Sequence, residues 1–478
     1  MADDDCLYNN EAAPLLPDAE RHEFKGPVDS WWAEVWLLAE YSLPLIATYL
    51  LQYSFTVITT FVAGHLGAED LAAASIGVTT MNIVGLSIFE GMATALDTLC
   101  AQAYGSGHAT GVGLHVQRML LLMLLAALPI GAIWLCSPSV LPLFVRQREL
   151  AVKAGAFLQV SLIGLPGYAS FEAGKRFLQA QGDFRTGMVI LIICAPVNIL
   201  LAWIFVFKLE MGLSGAALGA ALTNDLRVVL LLLYIVVFGT WSHKCWGGVS
   251  HSTLFRDWSP MVQLSLAGSA LTLAEWAAFE ILTFSTSYVS TVHLAAQTIL
   301  TTMSVIVWHV PFSVSVAVST RVGHLIGAGR VLTARRAVVL YGVVFTAIGI
   351  CDGAFLILLR DRLGPIFSDD AIVQDIVAKS MYAVGAFQVF DAIICGCNGT
   401  LRGLSRQSVA ACVVFAVDYL VAVPFAIWLE LGRLHLDLNG VWIGLGLGMV
   451  VIAIIECTYM KLISWQDCVN SVRLREET

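Results

Sequence analysis

The second half of this chain repeats the first with its charges changed. Gly215-Ala-Ala-Leu-Gly219 returns as Gly440-Val-Trp-Ile-Gly444, and Tyr104-Gly105-Ser106-Gly107 as Ile326-Gly327-Ala328-Gly329. Leu71-Ala-Ala73 returns as Leu294-Ala-Ala296, and Gln181-Gly182 as Arg402-Gly403. By subtraction the four offsets are 225, 222, 223 and 221 residues. So small a drift requires the same order of helices and turns in both halves. Repeated halves of apolar helices are the usual build of a secondary transporter, in which two similar bundles rock about a shared cleft.

Composition sets the solvent. Of 478 residues, 58% are hydrophobic and 13% charged, against roughly 25% charged in soluble proteins. A helix needs about 20 mainly apolar residues to cross the hydrocarbon. Twelve such stretches are expected, centred near Thr48, Ile83, Leu125, Ile163, Ile193 and Ala221, then Leu271, Val307, Phe345, Val384, Val421 and Met449. Backbone groups facing lipid must bond within their own segment, so the expected class is all-α integral membrane, with two repeated six-helix lobes. The expected organisation is a disordered tail over 1–30, a first lobe over 31–240, a loop over 241–258, a second lobe over 259–464 and a C-terminal tail over 465–478. The side holding both termini carries roughly 17 Lys and Arg against roughly 8 on the other, which predicts cytosolic termini by the positive-inside rule.

Several classes are disfavoured. No apolar run precedes Trp31, so no signal peptide is expected. The 11 cysteines show no CxxC or paired spacing and read as helix-packing residues. Neither a phosphate loop nor a dinucleotide fingerprint occurs, and no cofactor, metal or nucleic acid is expected.

Carboxylates at membrane depth are costly and usually functional. The repeat sorts them. Glu275 falls opposite Gln52, Glu280 opposite Val57 and Asp391 opposite Ser170. The second lobe thus holds carboxylates where the first holds neutral residues. Glu275 and Asp391 are the leading proton- and substrate-binding candidates, with Glu280 beside them. Five residues at 3.6 per turn separate Glu275 and Glu280 by about 140° around a helix, so both do not face one small site. Asp225 and Glu456 read as helix-end residues with snorkelling or capping roles, while Glu90, Glu172, Asp352 and Asp418 stay open. A carboxyl withdrawn from water holds its proton to higher pH, so a proton and a cationic substrate would compete for one negative site. Gln52, Trp276, Phe279, Trp308 and Phe312 are cleft candidates, the aromatics as faces for a flat organic cation or as plain core. Asp97, about two turns before the Tyr104-Gly105 turn, is the gating candidate, held through backbone amides or a cytosolic cation such as Lys175 or Arg176, with a solvated helix-end acid as the alternative.

The segment Gly91-Met-Ala-Thr-Ala-Leu-Asp97-Thr-Leu-Cys-Ala-Gln102-Ala-Tyr104-Gly105 resembles the signature of multidrug and toxic compound extrusion (MATE) transporters, as does Phe177-Leu-Gln-Ala-Gln181-Gly182. Glu275-Trp276-Ala-Ala-Phe279-Glu280 resembles the seventh-helix motif of the eukaryotic branch, with Ala277 where a second Trp is usual. Phe390-Asp391 with Leu401-Arg402-Gly403 resembles the tenth-helix motif. The resemblance, to a fungal-like eukaryotic branch, covers nearly everything after Trp31. It implies two six-helix lobes in a V, and extrusion of organic cations or other amphiphiles against an inward proton or sodium gradient. It also implies that Glu275, Glu280 and Asp391 are the acids of the second lobe. Thr302 stands where the mammalian branch has a further eighth-helix acid, which argues against assuming that branch's substrates. A proton is the expected coupling ion and sodium the alternative. The expected partners are a small organic substrate and the bilayer. A lipid or lipid-linked sugar flippase of similar build is the runner-up, and a membrane-embedded transferase a weaker one.

The N-terminal tail contains Glu11-Ala-Ala-Pro-Leu15-Leu16, which resembles an acidic dileucine sorting signal read by a clathrin adaptor. That address would favour a vacuolar or lysosomal membrane, with the plasma membrane as the alternative.

Overall fold

The helices start twice, in the same order and at the spacing of the sequence repeat. In the computed structural model, which describes residues 30–145, 147–239, 244–248, 254–432 and 436–477, every regular element is helical. The tail with Glu11, Leu15 and Leu16, and residues 241–243 and 249–253 of the loop expected to join the lobes, lie outside the described residues.

The first half runs α1 (Trp31–Leu66), α2 (Ala68–Met81), a π turn (Asn82–Leu86) leading into α3 (Ser87–Ser106), and α4 (Ala109–Val140). It continues with α5 (Arg148–Ser161) and α6 (Leu165–Ala180), α7 (Arg185–Trp203) ending in a π turn (Ile204–Lys208), and α8 (Gly212–Phe238). The second half runs α9 (Ser259–Thr286), α10 (Thr291–Gly327), α11 (Val331–Phe367) and α12 (Ala371–Gly403). Then come α13 (Gln407–Val417), a π turn (Asp418–Ala422), α14 (Val423–Leu431), α15 (Asp437–Leu462) and α16 (Trp465–Glu477). Ala68, Ala109, Arg148, Arg185 and Gly212 open segments whose repeats open at Thr291, Val331, Ala371, Gln407 and Asp437, offsets of 223, 222, 223, 222 and 225 residues.

The turns repeat as well. Gly107 (φ +90°) and Gly329 (φ +73°) close α3 and α10 in a left-handed conformation that costs glycine nothing. Gly212 (φ +56°) is matched by Asp437 (φ +46°), an aspartate in the region that short polar side chains tolerate best.

Among the described residues, eleven helical segments are long and apolar enough to cross a membrane, in place of the twelve expected. The missing one is α9, with 28 residues. At 1.5 Å per residue it is about 42 Å long, ample for hydrocarbon about 30 Å thick. Its Ser, Thr, Gln and Glu residues lower its hydropathy, and among them are Glu275 and Glu280.

Two units divide the chain. One comprises Leu43–Tyr104 and His108–Ser269, hereafter the first lobe; the other comprises the chain up to Ser42, Gly105–Gly107 and the chain from Ala270, the second lobe. The divisions fall inside α1, beside Pro44, and inside α9. The first lobe is cored by Phe89, Leu96, Leu99, Met119, Met123 and Trp134. The second is cored by Leu282, Leu300, Leu356, Val377, Met381 and Val441.

Small residues set the close approaches. A Cβ on Gly105 would lie 2.3 Å from the His324 carbonyl oxygen, so the Tyr104-Gly105 turn seats directly on the backbone of α10. The same holds in the first lobe, where a Cβ on Gly91 would lie 2.4 Å from the Cα of Ser269.

Candidate functional site

The buried carboxylates have two kinds of surroundings, with a fixed cation in contact and without one. In the first lobe, α6 places Glu172, Lys175 and Arg176 at spacings of three and four, on one helix face. Lys175 Nζ donates to Glu172 Oε1 at 2.8 Å and Arg176 Nη1 to Glu172 Oε2 at 2.8 Å. Gln52 on α1 joins them: its Nε2 donates to Glu172 Oε1 at 2.8 Å, and its Oε1 accepts from Lys175 Nζ at 3.1 Å. Arg176 also pairs with Asp97 on α3, Nε to Oδ1 at 3.1 Å, with both side chains 1% exposed or less. Lys175 lies 4.6 Å above the Tyr49 ring. Two anions and two cations thus balance in a water-free site, and each charge has an opposite charge in contact. Gln52, read from the sequence as a cleft residue, is taken up in this network. Asp97 has one of the partners expected for it, Arg176.

Nearby on α8, the buried Arg227 lays its guanidinium 4.0 Å from the centre of the Phe55 ring. A weakly hydrated planar cation stacks well on such a face.

The second lobe gathers acids. α9 carries Glu275, α12 carries Asp391 and α15 carries Glu456, and all three, together with the Arg402 guanidinium of α12, act electrostatically on the buried Cys395 thiol of α12. The helices meet through Leu271 and Ala274 of α9, Ile394 of α12, Val414 and Val417 of α13, and Ile452 and Ala453 of α15. The Tyr419 hydroxyl donates to the Ala274 carbonyl at 3.1 Å and ties α9 to the third π turn. Asp391 accepts from the neutral Gln388 amide at 3.2 Å, and Asp352 on α11 adds its charge to that neighbourhood. Glu280 is exposed and stands apart from this group, as the angle between it and Glu275 requires.

Glu456 corrects the helix-end reading of the sequence. α15 runs six residues past it, to Leu462, about 9 Å at the helical rise. Its side chain is fully buried, and neither carboxyl oxygen has a hydrogen-bond partner among the described residues. The residues that follow it, Cys457-Thr-Tyr-Met-Lys461, look like the end of a span, and nothing in that pattern reveals that Glu456 itself is buried.

The aromatic candidates separate into pairs. Trp308 and Phe312 on α10 stack with ring centres 4.4 Å apart. The Arg402 guanidinium of α12 lies 5.8 Å from the Phe312 ring and bonds to Ser315 on α10. Phe279 packs on Trp442, ring centres 6.2 Å apart, against the second-lobe core. Trp276, next to Glu275, is half-buried.

One second-lobe contact was not legible in the sequence. Glu34, in the first turn of α1, accepts from Arg321 Nε at 2.8 Å and Nη2 at 2.9 Å, and from the Tyr341 hydroxyl at 2.6 Å. The partners lie 287 and 307 residues apart. The only available signal was an Arg embedded in an apolar helix, which in a membrane demands a counter-ion.

A MatE family model matches residues 44–204 and 270–428. The chain belongs to the MATE family. An uncharacterized transporter of Schizosaccharomyces pombe is 37% identical over 444 residues, which cover 92% of this chain and 81% of that relative. An uncharacterized transporter of Saccharomyces cerevisiae is 36% identical over 449 residues; the match covers 93% of this chain but only 64% of the longer yeast protein. Protein DETOXIFICATION 16 of Arabidopsis thaliana is 32% identical, covering 87% of this chain and 85% of its own. Among solved structures, the eukaryotic MATE transporter AtDTX14 superposes with a TM-score of 0.88 at 28% identity, covering 94% of this chain and all of that one. The matched segments start at residue 44 in α1 and residue 270 in α9, next to the places where the two lobes divide. As a MATE transporter the chain is a multi-pass membrane protein, and its buried polar groups lie within membrane-spanning helices.

Proposed function

We propose that this MATE transporter is a secondary antiporter that exports organic cations from the cytosol in exchange for protons, with Glu275 and Asp391 as the groups that carry proton and substrate in turn. One observation supports the reading above the others. The first-lobe carboxylates Glu172 and Asp97 are neutralised by Lys175 and Arg176. Asp391 instead accepts a bond from a neutral amide, with Asp352 as the charge that acts on it. A carboxylate neutralised by a fixed cation has no use for a proton. One lacking such a cation in an apolar bundle is favoured neutral, or bound to a mobile cation. Transport leaves the substrate chemically unchanged in this reading. The tail signal Glu11, Leu15 and Leu16 adds a vacuolar or lysosomal address, where lumenal acid would drive loading.

The test is transport by Glu275→Gln and Asp391→Asn in proteoliposomes under an imposed pH gradient, with ethidium as the cationic probe. Both variants should insert normally and lose coupled export. Wild-type export by either one removes the second-lobe site, and export that follows a sodium gradient instead of a pH gradient removes the proton.

A further inference from the structure

The lone fully buried carboxyl on α15 has no role in the exchange described so far, and its surroundings give it one. Glu456 is shielded from water, and both its oxygens lack hydrogen-bond partners among the described residues. Stripping a carboxylate of water without replacing those bonds costs several kcal/mol, so the site demands a proton or a mobile cation. A purely structural explanation is weak, because the repeat shows what packing alone requires there. Residue 456 corresponds to Leu231 at the α8–α15 offset of 225, and Leu231 is buried in the first-lobe core. The scaffold accepts leucine at this place.

The groups around it are few. Glu275 on α9 acts on Glu456 directly, as does Cys457 on its own helix. Cys395 and Cys397 of α12 also feel its charge. Of the other elements packed on α15, the π turn brings the buried Asp418, and α13 offers only the exposed Cys412. Glu430 of α14 is bonded to Ser285, and Arg321 of α10 is held by Glu34 and Tyr341. Arg402 of α12 is bonded to Ser315, and among the described residues no cation is bonded to Glu456. Ala453, one turn earlier on the same face of α15, packs in the cluster that contains Ala274, the neighbour of Glu275.

We infer that Glu456 and Glu275 titrate as a coupled carboxyl pair in the second lobe, so that Glu456 is a third proton-carrying residue of the exchange. This rests on the antiport reading above for its purpose, but the pair itself is tested without transport. Two interacting carboxyls lose their protons in steps that belong to the pair. Removing the charge of one therefore loosens the other's hold on its proton.

The experiment uses the full chain in lipid nanodiscs and dicyclohexylcarbodiimide, an apolar reagent that adds to protonated carboxyls. Labelling of the Glu275 peptide is followed by mass spectrometry across pH in wild type and in Glu456→Gln. The expected result is a shift of the Glu275 labelling midpoint to lower pH by about one unit. Glu456→Leu, which installs the first-lobe residue, should give the same shift and stands in if the glutamine variant folds poorly. An unchanged Glu275 midpoint in these variants overturns the pair. Ethidium export by Glu275→Gln is scored separately. Its loss with an unmoved midpoint refutes only the coupling, whereas its survival with a moved midpoint refutes only the antiport assignment.

Discussion

Replacing Glu172 by Gln should destabilise the protein far more than replacing Asp391 by Asn, although both changes delete one carboxylate from a membrane helix. Glu172 receives three donors at 2.8 Å, two of them from cations. A glutamine keeps one acceptor oxygen and supplies no charge. Lys175 then lies buried with neutral oxygens to accept from it, that of Gln52 among them, while Arg176 retains Asp97. Removing one partner of a buried ion pair costs roughly 3–5 kcal/mol, because the other is left uncompensated. Since Asp97 still serves Arg176, the lower end applies, about 3 kcal/mol, or roughly a hundredfold in an equilibrium constant. At Asp391, an asparagine carbonyl still accepts from Gln388, and a group costly to ionise becomes neutral, so the expected change is under about 1 kcal/mol. Apparent melting temperatures of the two variants in one detergent, read by tryptophan fluorescence, make the comparison. Adding Lys175→Met to Glu172→Gln should recover part of the loss, since the stranded cation is then gone. Equal melting temperatures for the single variants, or a double variant worse than the sum of its parts, would refute the contrast between the neutralised Glu172 and the unneutralised Asp391.

Three further outcomes are expected. Asp97→Asn should weaken its hold on Arg176 and change the accessibility of engineered cysteines on the two membrane faces while substrate binding persists; unchanged accessibility with lost binding contradicts a gating role. Gly105→Ala should lower the apparent melting temperature, because its Cβ meets the His324 carbonyl at 2.3 Å and the backbone must shift at a cost of about 1–3 kcal/mol; an unaltered melt removes that close approach. Changing Leu15 and Leu16 to alanine in a fluorescently tagged chain should move it to the cell surface, and a double variant that stays in the vacuole shows that the tail is not read there.

Much was legible from the sequence. Helix order, the lobe repeat and the family followed from apolar stretches and small motifs, because a helix in lipid satisfies its backbone locally and a glycine turn is specified by a few residues. The acids of the second lobe emerged by subtraction, since Gln52 and Ser170 hold their places in the first. Glu172, Lys175 and Arg176 lie at spacings of three and four, which a single turn brings together, although the chain alone left the role of Glu172 open.

What the sequence could not specify is burial and the company of distant residues. It placed Asp97 beside Lys175 or Arg176, but not Gln52, which it assigned to a cleft. It read Glu456 as an end residue because the polar residues after it resemble a span boundary, whereas packing of α15 against α12 buries the carboxyl. It gave no hint that Glu34 meets Arg321, 287 residues away. The repeat, the turns and the span lengths are local and were determined by the chain alone. Which carboxylates are neutralised and which are left without a fixed cation depends on contacts between helices, and only the tertiary structure decided that.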